Sequence, residues 1–263
     1  MIIDAHAHIY PDKIAEKASA GISSFYGIPV AHNGMLTTLL REGEKAGVDR
    51  FLVQSVATVP EQVENINSFI YSAVQAYPDK LIGFGTIHPD YPDIEREVER
   101  VVSLGLKGLK LHGDMQGFDL DEEKAYPIYE AAEHFGLPIL FHAGDPRSDR
   151  TTPDKLYRVT KRFPKLKVIG AHLCGWTMWD RAEELFENSG VYSDCSSSLY
   201  ALEPSRAARI IRKIGTKRVF WGTDYPVWSA AEELERFAKL PLTEQEREDI
   251  LGRNLLRLLG EEQ

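Results

Sequence analysis

Residues 1–8, MIIDAHAH, form a short apolar run that ends in two histidines separated by one residue. Seven further apolar runs follow at intervals of roughly thirty residues, which is the size of a βα unit. Their apolar residues are continuous rather than alternating, as expected of parallel strands buried on both faces. The predicted strands are Met1–His6, Arg50–Ser55, Leu81–Ile87, Leu106–Leu111, Pro138–His142, Lys167–His172, Val191–Asp194 and Arg218–Thr223.

Amphipathic segments between these runs predict helices. They are Met35–Ala46, Ile94–Leu104, Glu122–Phe135, Pro153–Phe163, Trp179–Asn188, Pro204–Ile214 and Ala230–Leu240. A last helix is predicted to begin at the capping box Thr243-x-x-Glu246 and to end at Gly260. The segment Tyr10–Gly34 is predicted to be a long irregular loop after the first strand.

Eight strand–helix repeats without an internal linker predict one α/β domain over residues 1–263, a closed (β/α)₈ TIM barrel. A doubly wound open sheet is the alternative, but no glycine-rich phosphate loop follows the first strand. In a barrel, the loop Tyr10–Gly34 would lie at the carboxyl-terminal rim, where active sites form. This loop is therefore expected to cover a ligand.

Composition limits the classes of partner. The chain has 31 Lys and Arg against 40 Asp and Glu, a formal net charge of −9. Because an acidic surface repels phosphate backbones, no nucleic-acid partner is expected. No apolar run is long enough to span a membrane. The two cysteines, Cys174 and Cys195, lack zinc-type spacing, and the absence of a signal-peptide pattern predicts a cytoplasmic protein.

Histidines and an aspartate occupy the ends of four predicted strands. His6 and His8 are two residues apart on a strand, so both side chains can reach one ion. A lone His-x-His pair is a weak signal, but His142, His172 and Asp224 close three further strands. The carboxyl ends of barrel strands meet at one mouth. Such a ligand set predicts one divalent metal, with zinc favoured and manganese, iron or nickel as alternatives.

These motifs resemble the amidohydrolase superfamily, and most closely its branch containing aminocarboxymuconate-semialdehyde decarboxylase and related metal-dependent hydrolases. The resemblance covers nearly the whole chain. It rests on Asp4-Ala-His6-Ala-His8, Gly108-Leu-Lys110-Leu-His112, Gly222-Thr-Asp224-Tyr-Pro226 and Asn254-Leu-Leu-Arg-Leu-Leu259. One departure is His172-Leu-Cys174-Gly175, where the branch often has His-x-Gly-Gly.

The resemblance implies that His6, His8, His142 and Asp224 hold the metal and that His172 is a catalytic group. Asp224 would accept a proton from metal-activated water. The leading hypothesis is hydrolysis of a small amide, ester or lactone. The alternative is non-oxidative decarboxylation of an unsaturated or aromatic acid. A TatD-type nuclease and a non-enzymatic barrel are less favoured, and a homodimer is expected.

Four more residues are predicted to bind the substrate: Lys110, His112, Arg147 and Trp176. Lys110 is interpreted as the partner of a substrate carboxylate or of Asp224, with a carboxylated bridge between two metals or extension to the rim as alternatives. Arg147 would clamp a carboxylate, or else form a salt bridge within its own loop. Trp176 would stack on a planar substrate or simply pack.

Overall fold

The computed structural model describes residues 1–261, and its strands all run in parallel. Each begins within a segment predicted to be a strand, but most are shorter than predicted. The third is interrupted at Phe84, and the first continues to His8. In order, they are β1 Ile3–His8, β2 Arg50–Gln54, β3 Leu81–Gly83, β4 Gly85–Thr86, β5 Leu109–Leu111, β6 Ile139–Phe141, β7 Val168–Gly170, β8 Tyr192–Asp194 and β9 Val219–Phe220.

The strands form a ring. Strands β1 to β3 pair in sequence, as do β4 to β9, and Phe84 joins the two groups while its N–H donates to Val53 O at 3.0 Å. On the opposite side, the N–H of Ala5 donates to Trp221 O at 2.9 Å, and the N–H of His8 donates to Tyr225 O at 2.7 Å. These bonds bring β1 against the segment that follows β9. The predicted (β/α)₈ barrel is confirmed.

Helices connect the strands and surround the ring. They are α1 Asp12–Tyr26, α2 Leu36–Ala46, α3 Val63–Ala76, α4 Ile94–Ser103, α5 Gly113–Gln116, α6 Tyr126–Phe135, α7 Pro153–Arg162, α8 Trp179–Leu185, α9 Pro204–Ile214, α10 Ala230–Ala238, α11 Glu244–Glu248 and α12 Asn254–Leu259. The seven predicted helices all form, to within a few residues at their ends. The capping box at Thr243 is present, and a π-helical turn over Asp249–Arg253 links α11 to α12.

The prediction of an irregular loop over residues 10–34 was wrong, because α1 occupies fifteen of those residues. Its inner face carries Ala15, Ser19, Ile22 and Tyr26, spaced three or four residues apart as a helix requires. Small side chains supply the two fully buried positions, so the helical period is hard to detect among apolar residues. The covering role expected of this segment therefore falls to a helix.

Two apolar layers hold the barrel together. The larger fills the space between strands and helices, and a smaller one fills the barrel interior with residues such as Ile3, Ala5 and Phe84. In β1 the register shifts between Asp4 and Ala7, and Ala7 belongs to the outer layer. A β-bulge therefore changes which side chains of β1 face inward. Among residues 1–261, no helix combines the length and apolarity needed to cross a membrane.

Candidate metal centre and substrate cleft

Three side chains at the barrel mouth point their ligand atoms at one another. The Nε2 atoms of His6 and His8 are 3.2 Å apart. Asp224 Oδ1 lies 3.3 Å from the first and 3.6 Å from the second. His6 and His8 are buried, and the Asp224 side chain is 16% exposed. The structure thus brings together the predicted ligands at the end of β1 and the predicted ligand that follows β9.

His172 and His142 complete the group. The His172 ring stacks on His6 at 5.1 Å between centroids, and His6, His172 and Asp224 each place a ligand atom within 4.8 Å of the others. His142 joins through His172, with its Nδ1 3.3 Å from His172 Nε2. All five predicted residues therefore meet. The division of roles between His142 as ligand and His172 as catalytic group stays a prediction.

The donor set fits a divalent transition metal. Burial lowers the pKa of His6, His8 and His142 well below its usual value and that of His172 to about 4, so the imidazoles are neutral. Neutral imidazoles and a carboxylate are zinc-type ligands, and ligand atoms around a tetrahedral zinc lie about 3.4 Å apart. Nitrogen and oxygen atoms at 3.2 to 3.6 Å match that spacing.

Asp194 orients His6, and sequence reasoning did not find it. The Nδ1–H of His6 donates to Asp194 Oδ2 at 2.9 Å, and both side chains are buried. His172 is fixed in the same way, because its Nδ1–H donates to the Ser196 carbonyl at 3.0 Å. A carboxylate or carbonyl partner of this kind selects the tautomer of a ligand histidine. Asp194 ends a predicted strand, and this position at the barrel mouth was the one feature of the sequence that could have marked it as part of the site.

Asp4 and Gly222 explain two motif positions. Asp4 accepts hydrogen bonds from the Thr223 hydroxyl at 2.6 Å and from the Thr223 and His6 backbone N–H groups. These bonds connect the segment after β9 to β1, and they involve the backbone of His6 rather than its imidazole ring. A Cβ at Gly222 would lie 3.0 Å from His6 Cβ and 3.1 Å from His6 N. Only glycine allows the backbone so close to His6.

Lys110 lies inside the centre. Its side chain is fully buried, and its Nζ is 3.2 Å from His6 Nε2. The interpretation of Lys110 as a lysine that extends to the rim was therefore wrong. Burial lowers its pKa to about 8, although the nearby carboxylates of Asp224 and Asp194 favour the charged form. The strand alternation that places Lys110 inward also places His112 inward, as predicted.

His112 contacts Tyr26, which lies in the segment that the sequence predicted to cover a ligand. The Tyr26 hydroxyl is 2.5 Å from His112 Nε2 and 3.4 Å from His142 Nε2. The imidazole rings of His112 and His142 are stacked, with 4.0 Å between their centroids and 4° between their planes. Tyr26 ends α1, and its contact with His112 was not predicted. Tyr26 lines both compartments of the cleft.

Arg147 and Trp176 lie at the rim. The Arg147 guanidinium bonds Asp145 at 2.9 and 2.7 Å and donates to Phe25 O at 2.7 Å. The structure therefore shows the salt bridge within the loop that was the alternative to a carboxylate clamp. Trp176 is nearly buried, and its ring meets the Tyr26 ring edge-on at 5.1 Å.

The cleft has two compartments. The larger contains His6, His8, Lys110 and His112 among its lining residues. The smaller, which has room for only about one water molecule, is a mostly apolar alcove, lined by Ile22, Tyr26, Ile28, His142, His172, Trp176, Ser197, Asp224 and Val227. Both compartments reach Asp224 and His172. The larger compartment is therefore the one with room for a small organic ligand beside the polar centre.

Known proteins with similar sequences are decarboxylases. The chain is 23% identical over 239 residues to 2-amino-3-carboxymuconate-6-semialdehyde decarboxylase of Dictyostelium discoideum. The aligned region covers 74% of this chain and 65% of that protein. It is 21% identical over 383 residues to the protein of the same name in Caenorhabditis elegans, covering 98% and 94% of the two chains. The chain thus spans slightly less than two thirds of the first relative.

Solved structures give the same picture of the fold. The 5-carboxyvanillate decarboxylase of Sphingomonas paucimobilis superposes with a TM-score of 0.78 at 20% identity, covering 98% of both chains. A dihydroxybenzoic acid decarboxylase of a Polaromonas species, with bound manganese and the inhibitor 2-nitroresorcinol, superposes with a TM-score of 0.76 at 17% identity, covering 98% of this chain and 96% of that one. The amidohydrolase family model matches residues 3–260, and the chain therefore belongs to the amidohydrolase family.

Proposed function

We propose that this protein is a metal-dependent decarboxylase of a small, planar, unsaturated or aromatic carboxylic acid. The observation that carries the proposal is the buried ammonium group of Lys110, 3.2 Å from the metal-ligand atom of His6. A cation at that point suits a substrate carboxylate held beside the metal. The decarboxylase names of the relatives support the same choice. They favour the alternative drawn from the sequence over its leading hypothesis of hydrolysis.

His6, His8 and Asp224, whose ligand atoms lie 3.2 to 3.6 Å apart, would hold one divalent cation together with His142, and manganese and zinc are the first candidates. When bound, the cation would supply positive charge to bind the substrate carboxylate with a neighbouring oxygen and to draw electron density from the reacting carbon. The manganese in the Polaromonas enzyme supports this assignment. The substrate is a small molecule, as expected from the size of the cleft.

The remaining residues orient the substrate. Lys110 pairs with the carboxylate in a site largely closed to water, where charge–charge attraction is stronger than at the surface. The larger compartment, lined by Lys110, His112 and Met115 among others, receives the planar body of the substrate. This places the bond to the carboxylate beside Asp224 and His172, which border both compartments.

Decarboxylation breaks one carbon–carbon bond and needs one proton. Carbon dioxide leaves, its bonding electron pair stays on the substrate carbon, and a proton joins that carbon. Asp224 and His172 are the groups placed to hold or move this proton. Burial raises the pKa of Asp224 to about 7 without metal. The Nδ1–H of His172 is engaged by Ser196, so its Nε2 is the nitrogen that faces the cleft.

The test is carbon dioxide release from a panel of planar acids, including 2,6-dihydroxybenzoate and 5-carboxyvanillate, by protein loaded with Mn²⁺ or Zn²⁺. We expect at least one acid to give carbon dioxide and a product lacking one carboxyl group. Lys110→Met should raise KM for that acid by at least about tenfold, since charged hydrogen bonds contribute 1.5–3 kcal/mol. Lys107→Met is the matched control, because Lys107 is a surface lysine of the same strand region.

Esters, amides and lactones belong in the same panel. Their turnover without carbon dioxide release, and no reaction with any acid, would overturn the proposal and restore hydrolysis. Burial of Asp224 and its raised pKa make it a suitable proton acceptor for water in that case.

A further inference from the structure

A series of three hydrogen bonds and one ring-stacking contact connects Asp224 to the rim of the alcove. The Ser197 hydroxyl donates to Asp224 Oδ2 at 2.6 Å, and the Trp228 Nε1–H donates to Ser197 Oγ at 3.0 Å. The Trp228 ring stacks on Tyr200 at 4.7 Å between centroids. The Trp176 Nε1–H donates in turn to the Tyr200 hydroxyl at 3.2 Å. The wall of the alcove is thus linked to a predicted metal ligand.

The direction of these bonds is fixed by chemistry. An indole nitrogen can only donate, so Ser197 Oγ must accept from Trp228. The single hydroxyl proton of Ser197 is then free to point at Asp224 Oδ2. Because Oδ2 is engaged as an acceptor, Oδ1 is the oxygen left to face His6 and His8, at 3.3 and 3.6 Å.

The backbone at both ends of this contact is unusual. Ser197 has φ 47° and Asp224 has φ 56°, the left-handed region that residues other than glycine seldom adopt. Such conformations persist where the surrounding structure holds them, often at functional sites. Ser197 is also nearly buried, at 5% exposure. Both partners of this contact are therefore held in backbone conformations that are unfavourable for their residue types.

We propose that Ser197, oriented by Trp228, is a positioning residue that presents Asp224 to the metal through Oδ1 alone. The inference rests on the proposed function, since it requires Asp224 to be a ligand. Loss of the hydroxyl would free the carboxylate to rotate and so weaken the site. Trp228 acts only through Ser197, so its removal should matter less and should not add to the loss of Ser197.

The test is the Mn²⁺ dissociation constant, measured by competition with a chelating dye. Ser197→Ala should weaken binding by about tenfold, the lower end of the effect seen for partners of metal ligands. Trp228→Phe keeps the aromatic ring but loses the donor, and should weaken binding by a smaller factor. The double variant should equal Ser197→Ala, because the two residues act in series. Ser193→Ala, another buried hydroxyl, is the control and should bind like wild type.

Asp224→Asn separates the two proposals. If this variant binds Mn²⁺ as tightly as wild type, the ligand assignment in the proposed function fails. If it binds weakly while Ser197→Ala and Trp228→Phe are unchanged, the positioning role alone is overturned. Additive losses in the double variant would overturn the role of Trp228 as a residue that acts through Ser197. Near-ultraviolet circular dichroism checks folding. If Ser197→Ala does not fold, weaker Mn²⁺ binding by Trp228→Phe supports the positioning role, and unchanged binding overturns it.

Discussion

His6 Nδ1 lies 2.9 Å from Asp194 Oδ2, and both side chains are almost completely buried. The imidazole therefore carries its proton on Nδ1 and turns the lone pair of Nε2 towards His8 and Asp224. An acid on one strand thus sets the direction of a predicted ligand atom on another, 188 residues away in sequence. Precision at a metal site depends on such partners as much as on the ligands.

Asp194→Asn should weaken Mn²⁺ binding by about 10- to 100-fold, the range observed when partners of metal ligands are changed. Both oxygens of Asp194 accept hydrogen bonds: Oδ2 from His6, and Oδ1 from the Ser196 N–H and hydroxyl. An asparagine must turn its NH₂ group towards one of these donors. Competition with a chelating dye measures the effect. Asp180→Asn, at an exposed surface position, is the control. Unchanged binding would show that Asp194 does not orient His6.

Asp224→Asn should abolish turnover while leaving the fold intact. The amide keeps the size of the side chain but loses the charge and the ability to take up a proton. General acid–base groups contribute 10² to 10⁴ in rate, so a loss of at least about 10²-fold is expected. Steady-state rates measure the loss, and circular dichroism checks the fold. Wild-type rates in this variant would remove Asp224 from the mechanism.

Much of the fold was predictable because the barrel repeats one simple unit. Parallel strands buried on both faces give continuous apolar runs, and the polar residue after each run marks a strand end. That rule placed His6, His8, His142, His172 and Asp224 at one mouth, where the structure finds them. Lys110 also follows from strand alternation, since Leu109 and Leu111 pack outward.

The parts that were missed depend on contacts that no local pattern encodes. The inner face of α1 is built partly from Ala15 and Ser19, which give little apolar periodicity. Tyr26 meets His112 from 86 residues away, and Ser197 meets Asp224 from 27 residues away. Such pairings exist only once the ring has closed. The single-domain organisation, the homodimer and the cytoplasmic location stay predictions.

Arg147→Ala distinguishes a rim salt bridge from a substrate clamp. Because Arg147 is half exposed and already paired with Asp145, its removal should change KM by less than about threefold, as expected for exposed ion pairs. The measurement is KM and kcat for the best acid substrate found in the decarboxylation panel. A rise in KM of about 100-fold with kcat unchanged would instead show that Arg147 binds the substrate carboxylate.

Glu233 should make stability fall as pH rises. It is fully buried on α10, paired with Arg236 through one oxygen, while its Oε2 has no partner among the described residues. Burial raises its pKa from 4.5 to about 7, so the folded state favours the protonated form. The stability it contributes is complete below pH about 4.5 and is lost as pH rises through about 7, by up to about 3 kcal/mol.

Chemical denaturation of wild type and Glu233→Gln across this pH range measures the effect. As pH rises from about 4.5 to 7, the free energy of unfolding of wild type should fall relative to that of the variant, because glutamine cannot ionise. Glu235→Gln, at a neighbouring exposed position, should show no such change relative to wild type. A constant difference between wild type and Glu233→Gln would mean that the folded state accommodates the charged carboxylate.

The most direct test of the metal centre is metal content per chain, by elemental analysis of protein purified without added metal or affinity tag. One divalent transition metal per chain in wild type, and a clear loss in His6→Ala, is the result expected if the neighbouring ligand atoms of His6, His8 and Asp224 hold the metal with His142. Two metals per chain would instead indicate a bridged centre with Lys110 carboxylated. No metal, even after incubation with Mn²⁺ or Zn²⁺, would contradict a metal-dependent enzyme.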